Sequence, residues 1–151
     1  MLSIISDECV LSCVCFSLYA GDMSESKAQQ VEIREVDGQT LKKLVDYIYT
    51  AEIEVTEDNV QVLLPAAGLL QLMDVRQVCC EFLQSQLHST NCLGIRAFAD
   101  LHTCVQLLNQ SHAYAEQHFT DVVQGEEFLG LTLQQVCSLI ASDKLTVSTE
   151  E

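Results

Sequence analysis

Cysteine and histidine have the widest chemical reach of any side chains here, and this chain of 151 residues has eight of the first and four of the second. A structural zinc site shows paired short spacings of these residues. His102-x-Cys104, His112 and His118 make no such pattern, and Cys13-x-Cys15 has no second pair nearby. A Cys–His hydrolase needs a thiolate held beside an imidazole, yet no glycine-framed nucleophile turn accompanies any cysteine. There is no phosphate-cradling glycine motif either. Carboxylates are plentiful but scattered over faces that read as solvated. The residue types therefore predict no catalytic residue, no cofactor and no metal.

Charge narrows the partners. Twenty-two acidic residues against seven basic ones give −15. Such a surface repels phosphates, which argues against nucleic acid and against an anionic membrane. No apolar run approaches the ~20 residues a membrane-spanning helix needs. Cys9–Tyr19 is apolar and precedes Ala20-Gly21, in the manner of a signal peptide, but the segment before it has no basic residue and contains Asp7 and Glu8. The cysteines fit small hydrophobes of a helical core in a reducing, cytoplasmic setting better than disulfide partners. At 48% apolar, with one proline and six glycines, the chain has ample material for a core.

The elements that position these residues follow from spacing. Val31, Ile33 and Val36 alternate with charged residues as a short strand, closed by an Asp37-Gly38 turn. Asp37 is placed to cap a helix whose apolar stripe is Leu41, Leu44, Val45, Ile48 and Tyr49. Ile53 and Val55 suggest a second brief strand. A helix starting at Thr56 buries Val60, Leu63, Leu64, Ala67 and Leu70, with Pro65 inside it expected to kink it or free a carbonyl. Asp74 and Gln77 have capping-box spacing before a stripe of Val75, Val78, Cys79, Phe82 and Leu83. Beyond Leu87 the pattern is helical throughout. Asn91 is placed to cap a helix with Cys92, Ile95, Phe98 and Ala99, and the next carries Val105, Leu108, Ala115 and Phe119. Thr132 and Gln135 repeat the capping-box spacing before Val136, Cys137 and Ile140. Ser148-Thr149-Glu150-Glu151 reads as a further helix start.

The stretch GDMSESKAQQVEIREVDGQTLKKLVDYIYT, its continuation to Leu83, and NCLGIRAFAD and YAEQHF after it resemble the Kelch-like family. They match the C-terminal half of its BTB/POZ domain and the start of its BACK region. The resemblance implies a mainly α (α+β) fold: residues 12–87 a partial BTB/POZ domain with two short strands, residues 88–151 BACK-type helices, and residues 1–11 unassigned. SCVCFSLYAGDM aligns with the family's Ser-Pro-Tyr-Phe helix, but Cys13, Val14 and Cys15 replace Pro-Tyr-Phe. Losing two core aromatics costs on the order of 3–5 kcal/mol per site.

By resemblance the chain is an adaptor that docks the cullin-3 N-terminal domain in a ubiquitin-ligase complex, and not an enzyme. Met23-Ser24-Glu25 matches the family's apolar-x-Glu docking motif. An unbranched Met adapts to a groove, and a Glu can hold the loop in shape by accepting backbone N–H bonds. Tyr47 falls off the apolar stripe and is the better surface candidate, whereas Tyr49 continues the stripe and reads as core. Phe98, His102 and Cys104 occupy the helix pair that makes the family's second cullin contact, and each equally fits packing within a helical layer. The family's N-terminal half-domain, which mediates BTB dimerisation, and its substrate-binding propeller are unmatched. The expectation is thus a remnant of a larger scaffold, with dimerisation doubtful. The alternative is a purely structural fragment with unpaired faces.

Overall fold

The computed structural model describes residues 4–5, 30–31 and 36–141. Met23, Glu25, the helix expected around Ser12–Ala20 and the helix start at Ser148–Glu151 lie outside the described residues. The chain divides into two compact units, one running through Cys79 and one from Cys80.

In the first unit, β1 (Ile4–Ile5) and β2 (Gln30–Val31) make a two-residue antiparallel ladder, with Ile4 opposite Val31 and Ile5 opposite Gln30. Three helices follow: α1 (Gly38–Thr50), α2 (Val60–Leu69) and α3 (Met73–Ser85), the last extending past Cys79. Helix α1 starts where Asp37 predicts. The Asp37 Oδ1 accepts from the N–H groups of Gln39 at 2.9 Å and Thr40 at 3.0 Å. Leu41 and Leu44 are buried where α1 packs on α2, whose Leu63, Leu64 and Ala67 are buried in turn. Val75 and Cys79 of α3 are also buried.

Of the two short strands expected from alternation, the first lies mostly outside the described residues and the second is not seen among them. Val31 belongs to the two-residue ladder, and Ile53–Val55 pairs with nothing among the described residues. The reason is local. Side chains take the hydrogen bonds a neighbouring strand would make: the Glu52 N–H donates to Thr50 Oγ1 at 3.2 Å, and Asn59 Nδ2 donates to the Glu54 carbonyl at 2.9 Å. Helix α2 begins at Val60, one turn after Thr56, and runs through Pro65. Proline has no N–H, so the carbonyl of Gln61 loses its helical donor, and Gln61 is exposed to water. Asp74 lies inside the first turn of α3, where a carboxylate favours the helix dipole, and is not its N-cap.

The second unit is helical: α4 (Cys92–Leu101), α5 (Val105–Gln117), α6 (Phe119–Val123), α7 (Glu126–Leu129) and α8 (Leu133–Ile140). Helices α4 and α5 pack along one another. Cys92, Leu93, Ala115, Val122 and Leu139 form the core, flanked by Tyr114, Phe119 and Phe128. The Phe119 and Phe128 rings meet edge to face, centroids 6.4 Å apart. Thr132 and Gln135 close the predicted capping box on α8. Its buried residue is Leu139, while Cys137 and Ile140 face outward, so the apolar register differs from the expected stripe. Val105 and Val78, placed on buried stripes by spacing, are likewise exposed.

Candidate partner-docking site

Three helices end on a non-glycine residue with positive φ: Ala51 after α1, Gln71 after α2 and Thr103 after α4. At Thr103 the backbone closes a Schellman motif. The Cys104 N–H donates to the Ala99 carbonyl at 2.8 Å, and the Thr103 N–H to that of Asp100 at 3.1 Å. Gln71 does the same after α2, with Leu72 N–H on the Ala67 carbonyl at 2.9 Å and Gln71 N–H on that of Gly68 at 3.2 Å. This geometry turns the chain sharply between α4 and α5 and gathers three residues singled out from sequence.

Phe98 and His102 stack one turn apart at the end of α4, centroids 4.5 Å apart in an edge-on arrangement. Both are half-buried. Cys104 sits just beyond them but is 6% exposed. It occupies the position where a Schellman motif makes its apolar contact with the helix it ends, and Ala99, the facing position, is also buried. Cys104 is thus buried where the turn closes, which fits the packing alternative that its spacing allows. The residues that do reach outward here are Leu101, 76% exposed, and Val105, 64% exposed. Sequence periodicity missed both, because a stripe argument assumes that every well-spaced apolar residue is core.

In the first unit the tyrosines exchange roles. Tyr49, assigned to the core from its spacing, is 58% exposed, while Tyr47, the expected surface residue, is half-buried. Tyr49 lies in the last turn of α1.

A further tie in the second unit was invisible to local spacing. Glu127 of α7 reaches the start of α4, where its Oε2 accepts from the N–H groups of Leu93 at 3.2 Å and Gly94 at 3.1 Å. Asn91, predicted as the cap, caps nothing in α4. Its Oδ1 accepts from the His88 N–H at 2.7 Å and its Nδ2 donates to the Gln86 carbonyl at 2.8 Å. Burial, reinforced by the neighbouring Glu127 charge, pushes the Cys92 thiol above its ordinary pKa.

Among the described residues no three His, Cys, Asp or Glu side chains converge as a metal site, and no helix is long and apolar enough to cross a membrane. The five described cysteines are free thiols: Cys79, Cys92 and Cys104 buried, Cys80 half-buried and Cys137 exposed.

The α4–α5 pair exposes Leu101 and Val105 at its turn, and comparison supplies the class of the chain. Residues 9–87 match the BTB/POZ domain and residues 92–151 match BACK, the BTB and C-terminal Kelch region. The chain belongs to the Kelch-like family of BTB–BACK proteins. It is 80% identical over 136 residues to Kelch-like protein 3 of Danio rerio and 77% identical over 135 residues to that of Homo sapiens. It is 70% identical over 135 residues to Kelch-like protein 2 of Mus musculus. Each match covers 89% of this chain and 23% of the relative, so the chain spans about a quarter of their length.

Proposed function

We propose that this chain is the cullin-binding part of a substrate adaptor for a cullin-3 ubiquitin ligase, acting in the cytoplasm by docking and not by catalysis. The observation that carries this reading is the identity of 77–80% to Kelch-like protein 3 across nearly the whole chain. A surface kept at that level of identity keeps its partner chemistry. Residues 12–87 serve as the BTB part and residues 88–151 as the start of BACK. Met23 and Glu25 supply the apolar-x-Glu grip, with Tyr47 at the rim of the same surface. In the helix pair, Phe98 and His102 form a ring ledge, and Leu101 and Val105 supply the apolar contact. Cys104 holds the turn that presents them.

Calorimetry with the cullin-3 N-terminal domain tests this. Leu101→Asp and the double variant Met23→Ala, Glu25→Ala should each weaken binding by about tenfold or more, in line with the loss of a central interface anchor. A complex that forms with unchanged affinity in all of these variants places the grip elsewhere.

A second reading, a structural fragment prone to self-association, is favoured by one observation: Leu129 and Leu133 stand almost fully in solvent on either side of the α7–α8 connection. Size-exclusion chromatography separates the two. A monodisperse, cooperatively melting species supports the adaptor, whereas concentration-dependent aggregates support the fragment.

A further inference from the structure

Between positions 80 and 141 there is a single Lys or Arg, Arg96, in a stretch rich in carboxylates. It does not pair with any of them: among the described residues Arg96 enters no ion pair, and neither does Asp100, one helical turn later. The order matters, since a basic residue four positions before an acidic one is the weaker arrangement on a helix. Both residues line the same pocket, a cavity of about 310 Å³ formed by α4, α5 and the segment entering α8. Two opposite charges therefore face one cavity without neutralising each other.

The rest of the wall has a consistent character. Leu93, Leu108 and Leu131 give it an aliphatic side. Gln135 also lines it, and the capping box fixes that side chain: its Oε1 accepts from the Thr132 N–H and hydroxyl, both at 2.9 Å, which leaves the amide NH2 as its free end. Asn109 adds a second amide. The His112 ring is held at Nε2 by Glu116, 3.4 Å away, and its buried Nδ1 has no hydrogen-bond partner.

We propose that this pocket binds a small aliphatic zwitterion of the class of free branched-chain α-amino acids. The carboxylate meets Arg96 and the Gln135 amide, the ammonium meets Asp100, and the aliphatic side chain lies on the three leucines. The volume falls at the lower end of the roughly 300–1,000 Å³ typical of small-ligand sites, which suits an amino acid. Placing both charges of one ligand against the two charges of the wall uses every charged group there. A ligand with a single charge leaves one of them unmet.

Titration by NMR tests this on the full chain, which has only three arginines, so the Arg96 Nε–Hε signal is readily assigned by substitution. The probes are L-leucine, N-acetyl-L-leucine, L-leucinamide and the dipeptide Leu-Leu. L-leucine should shift the Arg96 signal saturably, and each capped analogue should bind at least about tenfold more weakly. Read on the Gln135 side-chain amide signal, which every variant keeps, Arg96→Gln should remove the discrimination against leucinamide, and Asp100→Asn that against N-acetyl-leucine, while Lys43→Gln changes neither. Both test variants keep helix-compatible side chains, and an unchanged circular-dichroism melt verifies the fold. Equal binding of capped and free leucine, binding of Leu-Leu alone, or no saturable shift overturns the proposal.

Discussion

Glu127 caps a helix that begins more than thirty residues before it: its Oε2 lies 3.1 Å from the backbone nitrogen of Gly94. The glycine is what allows the approach. A Cβ built at position 94 would stand 2.6 Å from the Glu127 carboxylate, closer than real contacts permit. Glu127→Ala should thus destabilise the second unit by about 1–2 kcal/mol through loss of one charged cap, while Gly94→Ala, which displaces that carboxylate but gains about 1 kcal/mol of helix propensity, should cost less. Because they remove the same interaction, the double variant should cost much less than the sum. Additive costs in denaturant unfolding would show that the two residues act separately.

Asp37 makes stability sensitive to acid. Its carboxyl is held below the ordinary value of 3.8, first by the hydrogen bond to the Thr40 side chain and then by the backbone N–H groups it caps. A depressed folded-state pKa means the ionised form is favoured by folding. The contribution is complete above the unfolded value and is lost as pH falls through the lower folded one. Asp37→Asn should flatten this component of the acid limb as pH falls below the ordinary value of 3.8 and leave the melting temperature near neutrality almost unchanged. A steeper acid limb in the variant would contradict the assignment.

Thr103 stabilises the α4–α5 turn less than glycine would. A β-branched residue at φ 54° sits where L-residues pay about 1–2 kcal/mol, part of which glycine's greater unfolded freedom returns. Thr103→Gly should raise the melting temperature by roughly 2–4 °C. Thr103→Val should lower it or leave it unchanged, since it keeps the strained shape without relief. Differential scanning calorimetry reads both.

The described thiols should divide by exposure. Cys137 faces outward and should react with an aromatic disulfide reagent at pH 7.5 under native conditions. Cys92 should resist until the chain unfolds, being both buried and raised in pKa. Mass spectrometry of the labelled peptides distinguishes them, and native labelling of Cys92 at a rate like that of Cys137 would refute the packing described for α4.

What was legible in the residues was what is determined nearby. Asp37 starts α1 and Thr132 with Gln135 starts α8, because a cap involves only residues two or three positions apart. The five-residue stripe of α2 is buried throughout for the same reason. The errors lie where a distant group decides. Asn91 was read as a cap, but Glu127 supplies that cap from another helix. Tyr49 and Ile140 continue their stripes correctly and are still exposed, since spacing cannot say where the facing element stops. The strand at Ile53–Val55 failed because Thr50 and Asn59 offered the backbone a nearer partner. Cys104, which spacing lets serve as contact or as packing, is buried where its own N–H donates to the Ala99 carbonyl.

Asn59 repeats what Asn91 does. Each accepts from the N–H three residues back, Thr56 at 2.9 Å and His88 at 2.7 Å, and each donates its amide to the carbonyl five residues back, Glu54 and Gln86. Both side chains are used two-handed, as acceptor and donor at once. Aspartate, which ranks beside asparagine as a helix starter, has no second hand to offer when ionised. An interchange that looks silent on any scale of helix preference would therefore unfasten the joint ahead of α2 or of α4, and slow conversion of either amide to an acid in an ageing sample would loosen the protein at those two hinges first.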